Sequence, residues 1–522
     1  MGETKMMHTV RLPLKTNRNT EHVMEKRFRL IQRIHNQMVK HAKHLLTKLH
    51  KDQEYIELMV SYGEIKEKAD NGDAAAKKRL REIRTRLNAI CQGIGLTKNA
   101  FDSYVSHMQH KYKKNIHSHQ AQVEAERVWK GVESVLFHDG KDVHYKKGAS
   151  FRTIRGKNHS TGIVLYQKGE NDYFIKWNKL IIPVKTPRRA RPDLPSGKNY
   201  LQEAFADDKI VYCEIVRLWF KSGWRYYVNV YLSGTVPQKI VPGKSVMGID
   251  EGTSTVAAVS ETSVILEELA PCCRDYNARI AQLQRQVDIS TRITNPLCFH
   301  KDGTAKKRKD RIGVRWVFSK SCLRKKAEIR ELYRKKSEYI THCHGAVVNQ
   351  MIKDSSVFVL EPMDFKALAK KAKQTKRQDK ASCVKKKDGS VKSVYKYKKK
   401  KRFGKSISDR GPAELIQILE RKCSQYGLLV YEVDKWEYRA SQYDHVTNKY
   451  RKSPLSQRMK CIGGHIVQRD LYSAFLLSCR EHEKKPDRAK CKRLFHGFVE
   501  QHDLYINDRK AKGISRPACF GF

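Results

Sequence analysis

Three short segments in the second half of the chain constrain its fold most, because each places a carboxylate at an end of regular structure. Apolar and β-branched residues lead up to Asp250 and to Glu361, as expected for buried strands that stop on an acid. The third acid, Asp470, stands where an amphipathic helical pattern begins. Two strand ends and one helix start are therefore predicted to carry acidic side chains.

The segment around the first acid predicts how a sheet begins. Residues 251–254 have the composition of a tight turn between the strand that ends at Asp250 and a return strand over 255–260. This pattern is typical of the opening hairpin of an RNase H-like sheet. The pattern then gives helices, the strand that ends at Glu361, a helix, a strand over 428–433 and the helix of the third acid. That order is typical of a RuvC-type RNase H-like domain with insertions.

The three acids, if they converge, supply the hard anionic oxygens that divalent cations require. Two Mg²⁺ ions about 4 Å apart can stabilise the attacking and leaving oxygens of a phosphodiester during hydrolysis. A single acid at a strand end is more often a turn or cap residue, whereas three acids in order favour catalysis. We therefore predict that Asp250, Glu361 and Asp470 are catalytic residues and ligands of two Mg²⁺ ions, for which Mn²⁺ can substitute.

Composition indicates a polyanionic partner. The chain has 106 Lys and Arg against 55 Asp and Glu, a formal charge of +51 that favours nucleic acid over other partners. Membrane binding fits less well, because the sequence has no long apolar run and no leader with an apolar core. The 13 cysteines are odd in number and include no C-x-x-C, which is typical of reduced thiols. These features predict a cytoplasmic protein.

The pattern of the first 240 residues predicts a region that binds nucleic acid rather than one that carries out chemistry. A strand-like segment over 9–14 is followed by helical periodicity to about Phe137, and then by several strands joined by turns, as in a small barrel. Aromatic residues among the basic ones could stack on bases, although barrel core is the commoner role of aromatics in strands. These aromatics include Tyr173, Trp177, Trp219 and Trp224.

A strongly basic tract over 366–405 follows the second acid. Such a tract is either a solvated linker or, beside a nuclease centre, a lid ordered by the phosphates of the substrate. Another basic segment lies shortly before the third acid. The candidate nucleic-acid contacts are Lys398, Lys399, Lys400, Lys401 and Arg402 in the tract, and Arg451, Lys452, Arg458 and Arg469 near the third acid.

Several motifs together resemble the insertion-sequence TnpB proteins and the miniature type V CRISPR nucleases descended from them, over nearly the whole chain. They are Gly248-Ile249-Asp250, Glu361-Pro362-Met363, Leu419 to Gly427, Ala440-Ser441-Gln442 and Arg469-Asp470-Leu471-Tyr472-Ser473-Ala474. The resemblance implies a guide RNA, double-stranded target DNA and its displaced single strand as partners, with no membrane. It also implies a monomer with its RNA, and association with the prokaryotic nucleoid when DNA is bound.

The resemblance implies a multidomain α+β fold: a wedge-like β-barrel interrupted by a helical recognition lobe, then an RNase H-like (RuvC) α/β domain with helical and basic insertions. The wedge barrel is expected at 1–20 and 140–240, with the recognition lobe at 21–139. The nuclease domain is expected at 241–435, including the basic lid. A nucleic-acid-loading insertion at 436–465 and the rest of the nuclease domain at 466–522 complete the chain.

The chain departs from the family at the insertion. Family members carry a four-cysteine zinc ribbon after the Ser-Gln that corresponds to Ser441-Gln442, and this chain has no paired cysteines there. His445, Cys461 and His465 give only a weak site, because structural zinc requires paired ligands at close spacing. No zinc is expected.

The predicted function is an RNA-guided DNA endonuclease that cuts beside a short flanking motif through one Mg²⁺-dependent RuvC site. The guide would come from a transposon-end RNA or a CRISPR RNA. Two alternatives stay open: an RNA-guided DNA-binding repressor with weak or no cleavage, and a transposase that breaks and joins DNA.

Overall fold

The computed structural model describes residues 7–138, 140–169, 172–186, 194–197, 199–206, 209–221, 223–311, 313–370, 381–385, 391–394, 403–454, 456–513, 517 and 519–522. The fold is mixed α+β and divides into two compact units, Met1–Pro237 and Gln238–Phe522. Across these described ranges, no helix is long and apolar enough to cross a membrane. The finer division into six segments stays a prediction.

The described residues of the first unit form six α-helices and seven strands. The helices are α1 (Arg18–Leu49), α2 (Gln53–Asp70), α3 (Ala74–Ile94), α4 (Lys98–His110), α5 (Ser118–Phe137) and α6 (Tyr200–Ala206). The strands are β1 (Met7–Pro13), β2 (Thr153–Arg155), β3 (Ile163–Gly169), β4 (Asp172–Trp177), β5 (Leu180–Pro183), β6 (Lys209–Phe220) and β7 (Gly223–Ser233).

One core joins the helices and strands of this unit. α1 begins at a capping box in which Asn17 accepts from the Thr20 N–H at 2.9 Å, and its apolar side chains recur at helical spacing along a buried face. Phe28 is fully buried and meets the Trp177 ring edge-on at a centroid distance of 6.3 Å. Trp177 and Tyr173, two of the aromatics considered for base stacking, are both buried. They therefore belong to the core rather than to a base-stacking surface.

The predicted wedge-like β-barrel is not closed among the described residues. The strands form two separate sheets, of orders β1-β7-β6-β2 and β3-β4-β5. A single bridge between Leu14 and Val184 links the end of β1 to the end of β5. Closure requires every strand to be paired along both edges, but β2 has only three residues and pairs only with β6 among the strands described.

The second unit contains a larger sheet with helices and several hairpins. Its helices are α7 (Cys273–Thr294), α8 (Lys320–Asp354), α9 (Phe365–Ala369), α10 (Gly404–Arg410), α11 (Pro412–Tyr426), α12 (Arg469–Ser478) and α13 (Arg488–Ala511). The sheet strands are β8 (Ser245–Glu251), β9 (Thr255–Val259), β10 (Val264–Glu268), β11 (Ser355–Leu360) and β14 (Leu429–Glu432). The hairpin strands are β12 (Ser382–Lys385), β13 (Val391–Val394), β15 (Tyr443–Asp444), β16 (Lys449–Tyr450), β17 (Met459–Ile462) and β18 (His465–Gln468).

The five sheet strands lie in the order β10-β9-β8-β11-β14. The first three are antiparallel, and β11 and β14 run parallel to β8. Met247 and Ile249 pack in one core cluster with α8 and α11, whereas Ala257 and Val259 belong to a second cluster with α12 and α13. The sheet is therefore covered on both faces, as expected for parallel strands.

One local prediction is wrong, one strand pair was not predicted, and one group of candidate contacts lies outside the described ranges. Glu251 is not a turn residue but the last residue of β8, where it pairs with Val256. Within the basic tract, β12 and β13 form a hairpin, which the sequence did not predict. The candidate contacts Lys398, Lys399, Lys400, Lys401 and Arg402 lie outside the described residues.

Candidate active site

The first two acids lie at the same edge of the sheet. β8 and β11 are parallel, with Ile249 opposite Leu360, and Asp250 and Glu361 are the residues that follow this pair. Carboxyl ends of adjacent parallel strands meet at one sheet edge, which is where α/β sheets bind ligands. The register alone therefore makes the two acids neighbours.

The third acid reaches this edge because α12 lies directly on β8. At Gly248 a methyl group would overlap the Ala474 carbonyl oxygen and the Ser478 nitrogen, so helix and strand meet backbone to backbone. α12 is capped by Gln468, whose side chain accepts from the Leu471 N–H at 2.7 Å. The first turn of this helix, with Asp470, is thereby held near the end of β8.

Asp250 carries the clearest electrostatic sign of convergence. Its pKa is raised well above the usual value, first by burial, then by the Asp470 carboxylate and then by the Glu361 carboxylate. The Arg469 guanidinium and the Ser473 hydroxyl oppose this rise. Asp470 and Glu361 thus both lie close enough to Asp250 for their charges to act on it.

The other two acids differ in their partners. Burial raises the pKa of Glu361, while a hydrogen bond from the Ala440 backbone N–H and the charge of Lys435 oppose the rise. Asp470 is paired with cations: Arg469 Nη2 lies 2.9 Å from its Oδ1, and Arg458 Nη1 lies 3.6 Å from its Oδ2. Asp470 is therefore neutralised by this chain, and Asp250 much less so.

The donor chemistry of the site fits a hard divalent cation, because half-buried carboxylates that repel one another are stabilised by positive charge. As placed, however, the three carboxylates do not form a complete metal-binding site. Among the residues that the structure describes, no group of three or more His, Cys, Asp or Glu could hold a metal ion. The Mg²⁺ and Mn²⁺ assignments stay predictions.

Two of the predicted nucleic-acid contacts are part of this site. Arg458 and Arg469 make the ion pairs with Asp470 described above. Arg451 and Lys452 are instead exposed in the segment between β16 and β17. The four side chains thus divide into two that contact an acid and two that face solvent.

Sequence reasoning missed a buried lysine beside the acids. Lys460, on β17, is 8 % exposed and its ammonium donates to the Ser441 carbonyl oxygen. Burial, and then the charge of Arg469, lower its pKa, while Asp444, Asp470 and Asp250 oppose the change. No local pattern indicates this placement, because it depends on how the β17–β18 hairpin packs.

A fourth acid, Glu251, also escaped the sequence analysis. It is 6 % exposed, and its Oε1 has no hydrogen-bond partner among the described residues. Burial and then the neighbouring Asp250 raise its pKa well above the usual value. Successive strand residues point to opposite faces, so Glu251 shares the face of Ile249 and not that of Asp250.

The segment without a zinc ribbon is held by packing. His445 is buried, its Nδ1 lies 2.8 Å from the Tyr472 hydroxyl, and its ring meets Phe495 at a centroid distance of 4.7 Å. Cys461 and His465 are exposed on β17 and β18. His445 thus has a structural role in the core under α12 and α13.

Comparison with known proteins gives structural similarity only. The chain matches no family model and no curated protein. It is similar to a cryo-EM structure of a Cas12f1–sgRNA–target DNA complex, with 13 % identity, coverage of 91 % of this chain and 99 % of that chain, and a TM-score of 0.46.

Two further solved structures are similar at lower scores. A CRISPR-Cas12f ternary complex has 14 % identity, coverage of 89 % of this chain and 83 % of that chain, and a TM-score of 0.28. A crystal structure of the Cas12i1 R-loop complex after target DNA cleavage has 9 % identity, coverage of 93 % and 64 %, and a TM-score of 0.27.

Proposed function

We propose that the protein is an RNA-guided DNA endonuclease that cuts target DNA beside a short flanking motif through one Mg²⁺-dependent RuvC site. The observation that carries this proposal is the electrostatic convergence of Asp470 and Glu361 on Asp250. The sheet order β10-β9-β8-β11-β14, with an antiparallel start and parallel β11 and β14, supports an RNase H-like assignment. The guide would be a transposon-end RNA or a CRISPR RNA.

Each acid has a defined task in this proposal. Asp250 and Glu361 would hold metal ions from the strand ends, and Asp470 would complete the site from the first turn of α12. Mg²⁺ would supply the positive charge that activates water and stabilises the phosphate during cleavage. Arg458 and Arg469 hold Asp470 when no metal is bound, and would be free to contact phosphate once Asp470 binds an ion.

The charge of the chain supports nucleic acids as partners. A formal charge of +51 neutralises many phosphates without selecting a sequence, so target choice would come mainly from pairing with the guide RNA. The partners proposed are therefore guide RNA, double-stranded target DNA and its displaced strand. The protein itself would read the backbone shape of the heteroduplex and, through a few side chains, the flanking motif.

A first experiment tests the guide. The protein would be purified from cells carrying its native locus, and the RNA that accompanies it would be sequenced. We expect a discrete RNA ending in a variable segment, with CRISPR repeats or transposon-end sequence in the constant part. Only heterogeneous cellular RNA would overturn the guided function.

A second experiment tests the chemistry. With its RNA, the wild-type complex should cut a matching DNA in Mg²⁺, and Asp250→Ala should abolish cleavage while leaving guided binding intact. Glu500→Ala is the control, because this acid is 64 % exposed on α13. Cleavage that survives in the Asp250 variant would remove the assignment of the site.

One observation favours a second candidate function, a guided DNA-binding repressor. The ion pairs of Asp470 with Arg458 and Arg469 leave this acid with cationic partners of its own. If they persist when DNA is bound, the two guanidinium groups would compete with a metal ion for the Asp470 carboxylate, and the complex would bind with weak or no cleavage. Guided binding by the wild-type complex without Mg²⁺-dependent cleavage would favour this function.

A further inference from the structure

The loop that follows β14 is tied to the strand that ends at Glu361. The Val433 N–H donates to the Leu360 carbonyl oxygen at 3.0 Å, which continues the pairing of β14 with β11 by one residue. At the other end of the loop, the Ala440 N–H donates to the Glu361 carboxylate. Residues 434–439 therefore lie at the same sheet edge as the candidate active site.

The backbone of this loop is well fixed. Asp434 Oδ1 accepts from the Trp436 N–H at 2.8 Å, and the Asp434 carbonyl oxygen accepts from the Tyr438 N–H at 2.8 Å. The Tyr438 side chain is fully buried, and its hydroxyl donates to the Leu476 carbonyl oxygen at 2.7 Å. Anchors on both sides thus hold the backbone that carries Trp436.

Trp436 projects from this fixed loop into solvent. It is 78 % exposed, more than any other large apolar side chain among the described residues, whereas the other five tryptophans are buried or partly buried. The Lys435 ammonium lies 5.3 Å from the centroid of its ring. A large aromatic surface on a rigid loop, next to a cation, is the arrangement with which proteins stack single-stranded bases and contact the adjoining phosphate.

We propose that Trp436 stacks on an unpaired base of the DNA strand that enters the site, and that Lys435 contacts a neighbouring phosphate of that strand. This inference rests on the proposed nuclease function. Trp436 is a positioning residue, because it would hold the strand so that a nearby phosphate lies at the acids. Stacking is tolerant of base identity, which suits an enzyme whose target choice comes from its guide.

DNA is favoured over guide RNA as the source of the base by the position of the loop. The loop begins at Val433, whose N–H donates at 3.0 Å to the carbonyl oxygen of Leu360, the residue directly before Glu361. A base on Trp436 therefore belongs to the strand whose backbone passes the acids, and in a nuclease that strand is the substrate.

Photochemical cross-linking tests the contact without any need for cleavage. The Asp250→Ala protein, assembled with its native RNA, would be irradiated with target DNA that carries 5-iododeoxyuridine at successive positions around the cut site. We expect the DNA to cross-link to the peptide that contains Trp436, and the cross-link to disappear in Trp436→Ala. Cross-linking of this peptide only to iodouridine placed in the RNA would overturn the assignment to DNA.

Cleavage kinetics supply the second measurement. In the otherwise wild-type protein, Trp436→Ala should raise the half-saturating concentration of single-stranded substrate about 5- to 150-fold, with a smaller effect on the maximal rate. Trp436→Phe should restore most of the loss, because a smaller ring still stacks. Tyr333→Ala, which removes a 49 % exposed aromatic of α8, is the matched control and should change neither value.

The two experiments separate this inference from the proposed function. Unchanged kinetics in Trp436→Ala, or no DNA cross-link at Trp436 in a protein whose wild type cuts DNA, would overturn the role of Trp436 alone. A wild-type complex that binds its guided target and does not cut it would overturn the nuclease function, and the inference with it.

Discussion

At the scale of single residues, two acids of the candidate site have neighbours of opposite charge: Asp250 lies near carboxylates, and Asp470 lies near guanidinium groups. Asp250 is destabilised as a carboxylate by burial and by the charges of Asp470 and Glu361. Asp470 is stabilised by Arg469 and Arg458. Sites that bind substrate or metal commonly keep such uncompensated charge, at a cost in stability.

Neutralising the two acids should therefore change stability in opposite directions. In EDTA at neutral pH, we expect Asp250→Asn to raise the free energy of unfolding by about 1–2 kcal/mol, because it removes a half-buried charge that is repelled by its neighbours. Asp470→Asn should lower it by about 1 kcal/mol, because two guanidinium groups lose their partner. Thermal melts of the three proteins would measure both effects.

The gain in free energy of unfolding expected for Asp250→Asn should depend on pH, and the direction of that dependence is a control. An acid whose folded-state pKa is raised destabilises the folded protein only where the unfolded chain is ionised. The advantage of Asp250→Asn should thus be present at neutral pH and vanish as the pH falls below about 4. An advantage that persists in acid would contradict the electrostatic explanation.

His445 predicts a second pH effect, of opposite sign. Burial is the main cause that lowers its pKa to about 4, so between pH 6.5 and pH 4 the unfolded chain binds a proton that the folded chain does not. Stability should be lost as the pH falls through this range, by about 3 kcal/mol from this residue. His445→Phe should remove that part of the loss, since Phe fits among Tyr472 and Phe495.

Denaturant titrations at several pH values measure this difference. The control is His465→Gln, because His465 is exposed on β18 and its replacement should leave the pH dependence unchanged. Equal acid sensitivity of wild type and His445→Phe would show that His445 does not carry the effect.

At the scale of elements, local patterns predicted most of what surrounds the site. β-branched runs located β8, β9, β11 and β14, and helical periodicity located α12, because these elements bury residues at the period of their own geometry. Closure of the barrel could not be predicted in this way, since it depends on pairing between strands far apart in sequence. The ion pair of Arg458 with Asp470 and the position of Lys460 also depend on tertiary packing.

The contact between β8 and α12 predicts a severe single substitution. Gly248→Ala would place a methyl group against the backbone of Ala474 and Ser478, where no rotamer change can make room. We expect it to lower the free energy of unfolding by at least about 3 kcal/mol and to abolish cleavage, because α12 carries Asp470. Denaturant unfolding and a cleavage assay would measure the two effects.

Gly497→Ala provides the matched control on α13. An added methyl group meets no atom within 4 Å there, so this variant should gain about 1 kcal/mol from helix propensity and keep its activity. If Gly248→Ala were as stable and active as Gly497→Ala, close backbone contact would not hold α12 in place.

At the scale of the whole molecule, net charge dominates. With +51 charges the protein should bind nucleic acid largely through release of counterions. We expect the affinity for non-specific duplex DNA to fall by about 10³–10⁵ between 50 and 200 mM salt, measured by fluorescence anisotropy. A weak salt dependence would contradict a binding surface made of many phosphate contacts.

The same measurement tests two predicted contacts. If Arg451 and Lys452 contact phosphates, replacing both by Gln should reduce the slope of log affinity against log salt by about 2. Lys512→Gln is the control, because this ammonium pairs with Asp508 at 2.7 Å. An unchanged slope in the double variant would remove these two residues from the interface.

Because Gly248 has no side chain, the contact between β8 and α12 also limits how far substitutions in the core can alter the site. Repulsion between backbone atoms rises steeply at short distance. The β8 backbone therefore prevents α12 from coming closer, although it does not prevent α12 from moving away. Side chains elsewhere in the core can then change in volume without shortening the minimum spacing between strand and helix. The lower limit on the spacing of Asp250 and Asp470 is thus set by peptide groups, which a side-chain substitution elsewhere does not alter.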